Sequence, residues 1–262
     1  MNSTFQARTG LGKIYAVANQ KGGVGKTTTC INTAASLAEA GATVLLIDID
    51  PQCNATHGIG VHEPGAACVY DIMTGDIPVE TAITGTQIPH LFLVPSTPDL
   101  AAAEVELAAR PRREFVLSEA LRGIASDFDY LFIDCPPSLG LLTINGLVAS
   151  HKLMIPVQCE YYALEGLGQL LNTVAAVQQN FNTGLQIAGV LMTMYDPRTR
   201  LSTQVVEEVR SHFPDLTYRT VIPRNVRLSE APSHGMPISR YDPTCAGSDA
   251  YFDLATEVVE RE

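Results

Sequence analysis

The chain has 262 residues, 46% of them hydrophobic, enough to bury one large α/β core or two small ones. No apolar run reaches the roughly 18 residues of a membrane span, and Met1–Gly12 lacks the apolar core of a signal peptide, so a flexible N-terminal segment and a cytoplasmic location are expected. The net charge of −11 argues at first sight against a nucleic-acid partner, and the six cysteines make no C-x-x-C pair and no metal-ligand spacing.

Ile14–Ala18 reads as a short apolar strand, followed by Asn19-Gln-Lys-Gly-Gly-Val-Gly-Lys-Thr-Thr-Thr29. Gly22, Gly23 and Gly25, with Val24 between them, let the backbone turn tightly and bring its N–H groups to an anion. Lys26, Thr27 and Thr28 then open a helix, whose free N–H groups and dipole favour a phosphate. Strand, glycine loop, Lys-Thr and helix make the context of a phosphate loop, in which Lys26 reaches the β/γ-phosphates and the Thr27 hydroxyl binds Mg²⁺. The general pattern wants a glycine five positions before the Gly-Lys pair; Gln20 stands there, with a second lysine, Lys21, beside it.

Ile31, Ala34, Ala35 and Ala38 mark one face of that helix, which stops at Gly41. Thr43–Ile47 is a continuous apolar run, as expected of a strand buried on both faces. It ends in Asp48-Ile-Asp50-Pro-Gln-Cys-Asn-Ala-Thr56, two alternating carboxylates where parallel sheets bind ligands. Residues 57–90 are rich in Gly, Pro and Thr, with short helical pieces near 66–73 and 78–83. Leu91–Val94 is the next strand. Helical patterns at 99–109 and 113–125 are separated by Pro111, and the first, mostly alanine and glutamate, suits an exposed helix. Tyr130–Asp134 is a buried strand whose terminal carboxylate would hold magnesium beside Thr27. Strands follow at Lys152–Val157, Ile187–Met192 and Thr217–Ile222. Between them come a long helix striped by Leu164, Leu167, Leu171, Val174 and Phe181, and a helix over 202–213. The last helix, 247–260, buries Tyr251, Leu254, Ala255 and Val258 and turns Asp249, Asp253, Glu257 and Glu260 to solvent. The alternation predicts an α/β fold: a doubly wound, mostly parallel sheet of about seven or eight strands with helices on both faces, in one domain over 13–262.

The octet Lys21-Gly-Gly-Val-Gly-Lys-Thr-Thr28 resembles the deviant Walker A motif of the ParA/MinD superfamily of P-loop ATPases. Asp48–Thr56 resembles its switch I, with Cys53 in place of the usual glycine, and Asp134-Cys-Pro-Pro-Ser-Leu-Gly140 its switch II. Tyr195–Arg200 and Val221–Gly235 narrow the match to ParA/Soj chromosome-partitioning proteins, and the resemblance runs from Lys13 to Val258. It implies an ATPase of weak intrinsic turnover that uses ATP and Mg²⁺ and forms an ATP-dependent homodimer, in which Lys21 reaches across to the phosphates of the other subunit. It implies that Asp50 orients the attacking water and joins Thr27 and Asp134 at the metal, that Asp48 helps organise the magnesium shell, and that Pro223, Arg224 and Asn225 lie near the base. It also implies non-specific DNA binding by Arg198 and Arg227 on the nucleoid, and stimulation of hydrolysis by a ParB-like partner. Where relatives often have a lysine, this chain has Met236.

Residues 198–240 hold seven arginines against four acids, a net of +3, which leaves −14 for the rest. Screening over about 8–10 Å lets such a patch act independently of the total. A membrane regulator like MinD needs a basic amphipathic tail, and Asp253–Glu262 is acidic, so no membrane partner is expected. Iron–sulfur relatives need cysteines that bridge a dimer, for which Cys135 alone is suggestive. A positioning ATPase whose cargo is a protein stays open beside one that moves DNA.

Overall fold

The apolar runs assemble into one eight-stranded sheet in a computed structural model of the chain, which describes residues 12–262 apart from 64, 76, 161 and 162, and the backbone alone for 163–166. The first eleven residues of the expected N-terminal segment, and the side chain of Leu164, lie outside the described residues. In chain order the elements are β1 (Lys13–Val17), α1 (Lys26–Glu39), β2 (Val44–Asp48), α2 (Asn54–Gly58), α3 (Val69–Gly75), β3 (Thr84–Gly85) and β4 (Leu91–Val94). Then come α4 (Leu100–Leu107), α5 (Val116–Leu121), β5 (Tyr130–Asp134), α6 (Leu141–Ala149), β6 (Lys152–Gln158), α7 (Ala163–Asn180) and β7 (Gln186–Tyr195). The chain closes with α8 (Arg200–His212), β8 (Thr217–Pro223), α9 (Val226–Glu230), α10 (Ile238–Tyr241) and α11 (Ala246–Glu260).

The sheet order is β3-β4-β2-β5-β1-β6-β7-β8, and every pairing except β3 with β4 is parallel. Successive strand side chains point to opposite faces, so Ile14 and Ala16 enter one core and Tyr15 and Val17 the other. The first core is closed by apolar residues of α3 to α8, the second by α1 and the C-terminal helices. Both faces are therefore dry, and the strands need apolar residues at every position.

Three features depart from the sequence reading. The helix expected over 113–125 is α-helical only in α5, with 3₁₀ turns at Arg113–Phe115 and Ala125–Asp127. Phe181 lies past the end of α7 and packs edge-on against Phe115 at 5.9 Å rather than continuing the stripe. Glu257, expected in solvent, is 2% exposed. Its carboxylate accepts from the backbone N–H groups of Arg219 (2.8 Å) and Thr220 (2.9 Å) on β8 and from Arg261 (2.7 Å). At a sheet edge those N–H groups have no neighbouring strand, and the buried carboxylate takes its place.

Candidate functional site

Strand order does the first part of the assembly. β5 lies between β1 and β2, with Val17 and Asp48 both in register with Asp134. The glycine loop after β1, the Asp48–Asp50 turn after β2 and Asp134 at the end of β5 therefore meet at the carboxyl ends of adjacent parallel strands, where such sheets bind ligands.

Gly23 (φ 73°) and Gly25 (φ 89°) occupy left-handed backbone that a side chain would strain, and Gly25 is the residue from which α1 starts. No side chain caps α1 and no acid sits in its first turn, so its leading N–H groups and positive dipole end face an external acceptor. The loop is tied at three points that the sequence did not reveal. The Asn19 side chain donates to Pro156 O (2.7 Å) and accepts from Lys21 N (3.0 Å), while the Thr193 hydroxyl donates to Val24 O (2.8 Å). Lys26 is buried, with Nζ donating to Lys21 O at 3.2 Å. Burial pushes its pKa down against the pull of Asp134 and Asp50.

Three carboxylates surround this loop. Asp134 is fully buried, yet neither oxygen has a hydrogen-bond partner. Burial, then the Asp48 charge, pushes its pKa well above the carboxylate range, while Thr27 and Lys26 pull it back. An open buried carboxylate beside a threonine hydroxyl is the donor set of a hard divalent cation, and magnesium fits it. Asp50 is buried, and its Oδ1 accepts from Gln52 N at 2.9 Å. Asp48 differs from both: its oxygens accept from Asp50 N (3.0 Å), Thr56 N (2.8 Å) and the Thr56 hydroxyl (2.7 Å). Burial raises its pKa to about 6, and those donors oppose the rise. Cys53 takes φ 56° and ψ 27°, the conformation for which the replaced glycine is suited.

Lys21 and Arg224 reach one acid. Lys21 Nζ lies 3.3 Å from a Glu160 oxygen, Arg224 Nη2 3.9 Å from the other, and Gln158 donates to that second oxygen at 2.7 Å. The Pro223–Asn225 tip is held by Arg224 N donating to Tyr195 O (2.8 Å) and by Asn225, whose side chain accepts from Arg227 N (2.8 Å) and caps α9. Arg198 and Arg227 follow the carboxyl ends of the neighbouring strands β7 and β8. Both are engaged: Arg198 by Asp196 (2.8 Å), Arg227 by Glu230 (2.9 Å) and Asp242 (3.4 Å).

A glycine phosphate loop, two switch turns and a strand-end aspartate on a parallel sheet define a P-loop nucleoside triphosphatase. A family model for an AAA domain matches residues 12–187. The chain is 58% identical over 250 residues to the sporulation initiation inhibitor protein Soj of Bacillus subtilis, covering 95% of this chain and 99% of that protein. It is 49% identical over 252 residues to the chromosome-partitioning ATPase Soj of Treponema pallidum, covering 96% and 99%. A crystal structure of cobyrinic acid a,c-diamide synthase from Mycobacterium smegmatis with bound ADP and magnesium superposes with a TM-score of 0.83 at 39% identity, covering 95% of each chain. The chain belongs to the ParA/Soj family of chromosome-partitioning ATPases.

Proposed function

We propose that this chain is an ATP-driven dimerisation switch that partitions chromosomal or plasmid DNA. The observation that carries the reading is the crevice in which the uncapped α1 N-terminus, the buried Lys26 and the open oxygens of Asp134 face one another. A polyphosphate with its cation supplies what each of these groups lacks. Asp134, the Thr27 hydroxyl and Asp50 would hold magnesium, which neutralises charge on the β/γ-phosphates. The N–H groups of Gly22–Thr28 cradle the phosphates and Lys26 pairs with their charge. Pro223, Arg224 and Asn225 border the base, a reading supported by the link of Arg224 to Glu160 and so to Lys21. Asp50 orients the attacking water and accepts its proton in hydrolysis.

Lys21 is one side of a surface ion pair, which is weak enough to exchange Glu160 for the phosphates of a second subunit. The closed homodimer presents Arg198 and Arg227 to DNA on the nucleoid, and a ParB-like partner stimulates hydrolysis and release. The amide-forming name of the Mycobacterium protein is the weaker guide, at 39% identity against 58% for the Bacillus protein.

Two variants separate binding from chemistry. Asp50→Ala is expected to trap an ATP dimer with at least about 100-fold slower hydrolysis. Lys21→Ala is expected to bind ATP yet stay monomeric in equilibrium sedimentation with a non-hydrolysable analogue. Normal dimerisation of the lysine variant would remove the cross-subunit role.

A further inference from the structure

Asp48 and Asp134 are paired in register on adjacent strands and equally buried, yet only one is open to a ligand. Asp48 has three protein donors, and two of them come from Thr56 on α2. Thr56 is 1% exposed, and its hydroxyl also accepts from Ser96 N at 2.9 Å, just past the end of β4. A continuous chain of bonds thus runs from Ser96 through the Thr56 hydroxyl and the Asp48 carboxylate to the backbone N–H of Asp50. The turn that carries Asp50 is tied to β5 just before it by Ile49 N donating to Asp134 O (3.1 Å), but past Asp50 its bonds are local: Asp50 Oδ1 accepts from Gln52 N and Asp50 O from Cys53 N, and Cys53 stands in strained left-handed backbone.

We infer that Thr56 is a positioning residue for hydrolysis, holding Asp50 in its working place through Asp48. This rests on the reading of Asp50 as the residue that orients water. Replacing the hydroxyl by a methyl of the same shape takes one of three donors from Asp48 and leaves Ser96 N without its acceptor in a buried place. Asp50 then stands on a turn anchored by fewer bonds, and misplacement by about 1 Å costs a catalytic group as much as about 100-fold. The phosphate loop, tied separately to Pro156 and Thr193, keeps its geometry and hence its hold on nucleotide.

The experiment compares Thr56→Val, Thr56→Ser, Thr56→Cys and Asp50→Ala in single-turnover ATP hydrolysis and in binding of a fluorescent ATP analogue. Thr56→Val is expected to slow hydrolysis about 10–100-fold with nucleotide affinity kept within about threefold. Thr56→Ser, which restores the hydroxyl, is expected to return the rate to within about threefold of the parent. Should the valine variant not fold, Thr56→Cys decides, since its thiol is a weak donor in the same place; its rate is expected to fall at unchanged affinity. Wild-type hydrolysis by Asp50→Ala overturns the reading of Asp50 itself. An inactive Asp50→Ala beside a fully active Thr56→Val, or beside a fully active Thr56→Cys where valine does not fold, overturns the positioning role alone. So does a Thr56→Val loss in which affinity falls as far as rate, because the residue then serves the fold and not the placement of Asp50.

Discussion

Cys53 stands in left-handed backbone, a conformation that costs a residue with a side chain about 1–2 kcal/mol relative to glycine. Its thiol offsets part of this by being buried and by donating to Pro51 O at 3.3 Å. Burial pushes the thiol pKa up to about 11, so Cys53 is packed as a neutral group. Cys53→Gly is therefore expected to leave stability within about 1 kcal/mol, relief of strain cancelling lost packing. Cys53→Val, whose branched Cβ is excluded from this conformation, is expected to cost at least about 2 kcal/mol. Urea unfolding of the three proteins checks both, and a valine variant as stable as the parent would mean that the turn relaxes freely. The residues that sequence singles out at this scale are those that stand in a local pattern: Lys21, Lys26, Thr27, Asp50 and Asp134 sit in fixed spacing on a loop or strand end. Asn19, Thr56, Glu160 and Thr193 escaped because each acts on a partner far along the chain or, for Thr56, through a carboxylate eight residues away. Nothing in the local pattern of such a residue separates it from an ordinary polar side chain.

Among the elements, the parallel strands were legible because burial on both faces forces unbroken apolar runs such as Val44–Ile47 and Tyr130–Ile133. The short helices near 66–73 and 78–83 were legible as well, but the two that follow β8 were not. Five residues in α9 and four in α10 are too few for a 3.6-residue period to show, and both are held by contacts from elsewhere, such as Ile238 N donating to the Asn32 side chain at 2.7 Å. Glu257 was misplaced for a related reason. Periodicity put it on the polar face of α11, while its length lets it turn back and satisfy the edge of β8. Burial alone would raise its pKa, but donors from Arg219, Thr220 and Arg261 outweigh that and hold it below the ordinary 4.5. A carboxylate with a depressed folded pKa contributes stability that is complete above its unfolded value and is lost as pH falls through the folded one. Glu257→Gln keeps one acceptor and loses the other, and is expected to cost about 1–3 kcal/mol near neutral pH. The gap between parent and variant should narrow as the pH is taken below 4.5. Urea midpoints across that range measure it, and a gap independent of pH would show that the charge contributes nothing.

At the scale of the whole molecule, the arginines of 198–240 do not form the free positive patch that counting suggested. Acids from outside the segment come to meet them: Glu39 pairs with Arg240, Glu160 with Arg224, Asp196 with Arg198, Asp242 with Arg227, and Glu257 and Glu260 with Arg219. Linear sequence shows only the Asp196 pair, whose acid stands in the same turn as Arg198; Glu39, Glu160, Glu257 and Glu260 come from elements far along the chain from the arginines they meet. On the proposed reading, DNA binding would depend on exchanging carboxylates for phosphates, which costs little for exposed pairs such as that of Arg198, whose side chain is 84% exposed. The Arg198 guanidinium in turn lowers the Asp196 pKa to about 2, so the competing carboxylate stays charged at any working pH. The ATP dimer is expected to bind unrelated duplexes alike, and the ADP form to bind neither. By two-fold symmetry Arg198→Ala removes two phosphate contacts, which makes the log–log salt slope shallower by about 2. Asp196→Asn removes the competitor without touching the arginine, and is expected to tighten binding several-fold, most clearly at low salt. ATP turnover without DNA should be unchanged in both variants, since neither side chain touches the phosphate loop. Mobility shifts over a salt series with two duplexes test the pair together. A slope unchanged in Arg198→Ala, with no gain in Asp196→Asn, would assign this rim of the sheet to another ligand.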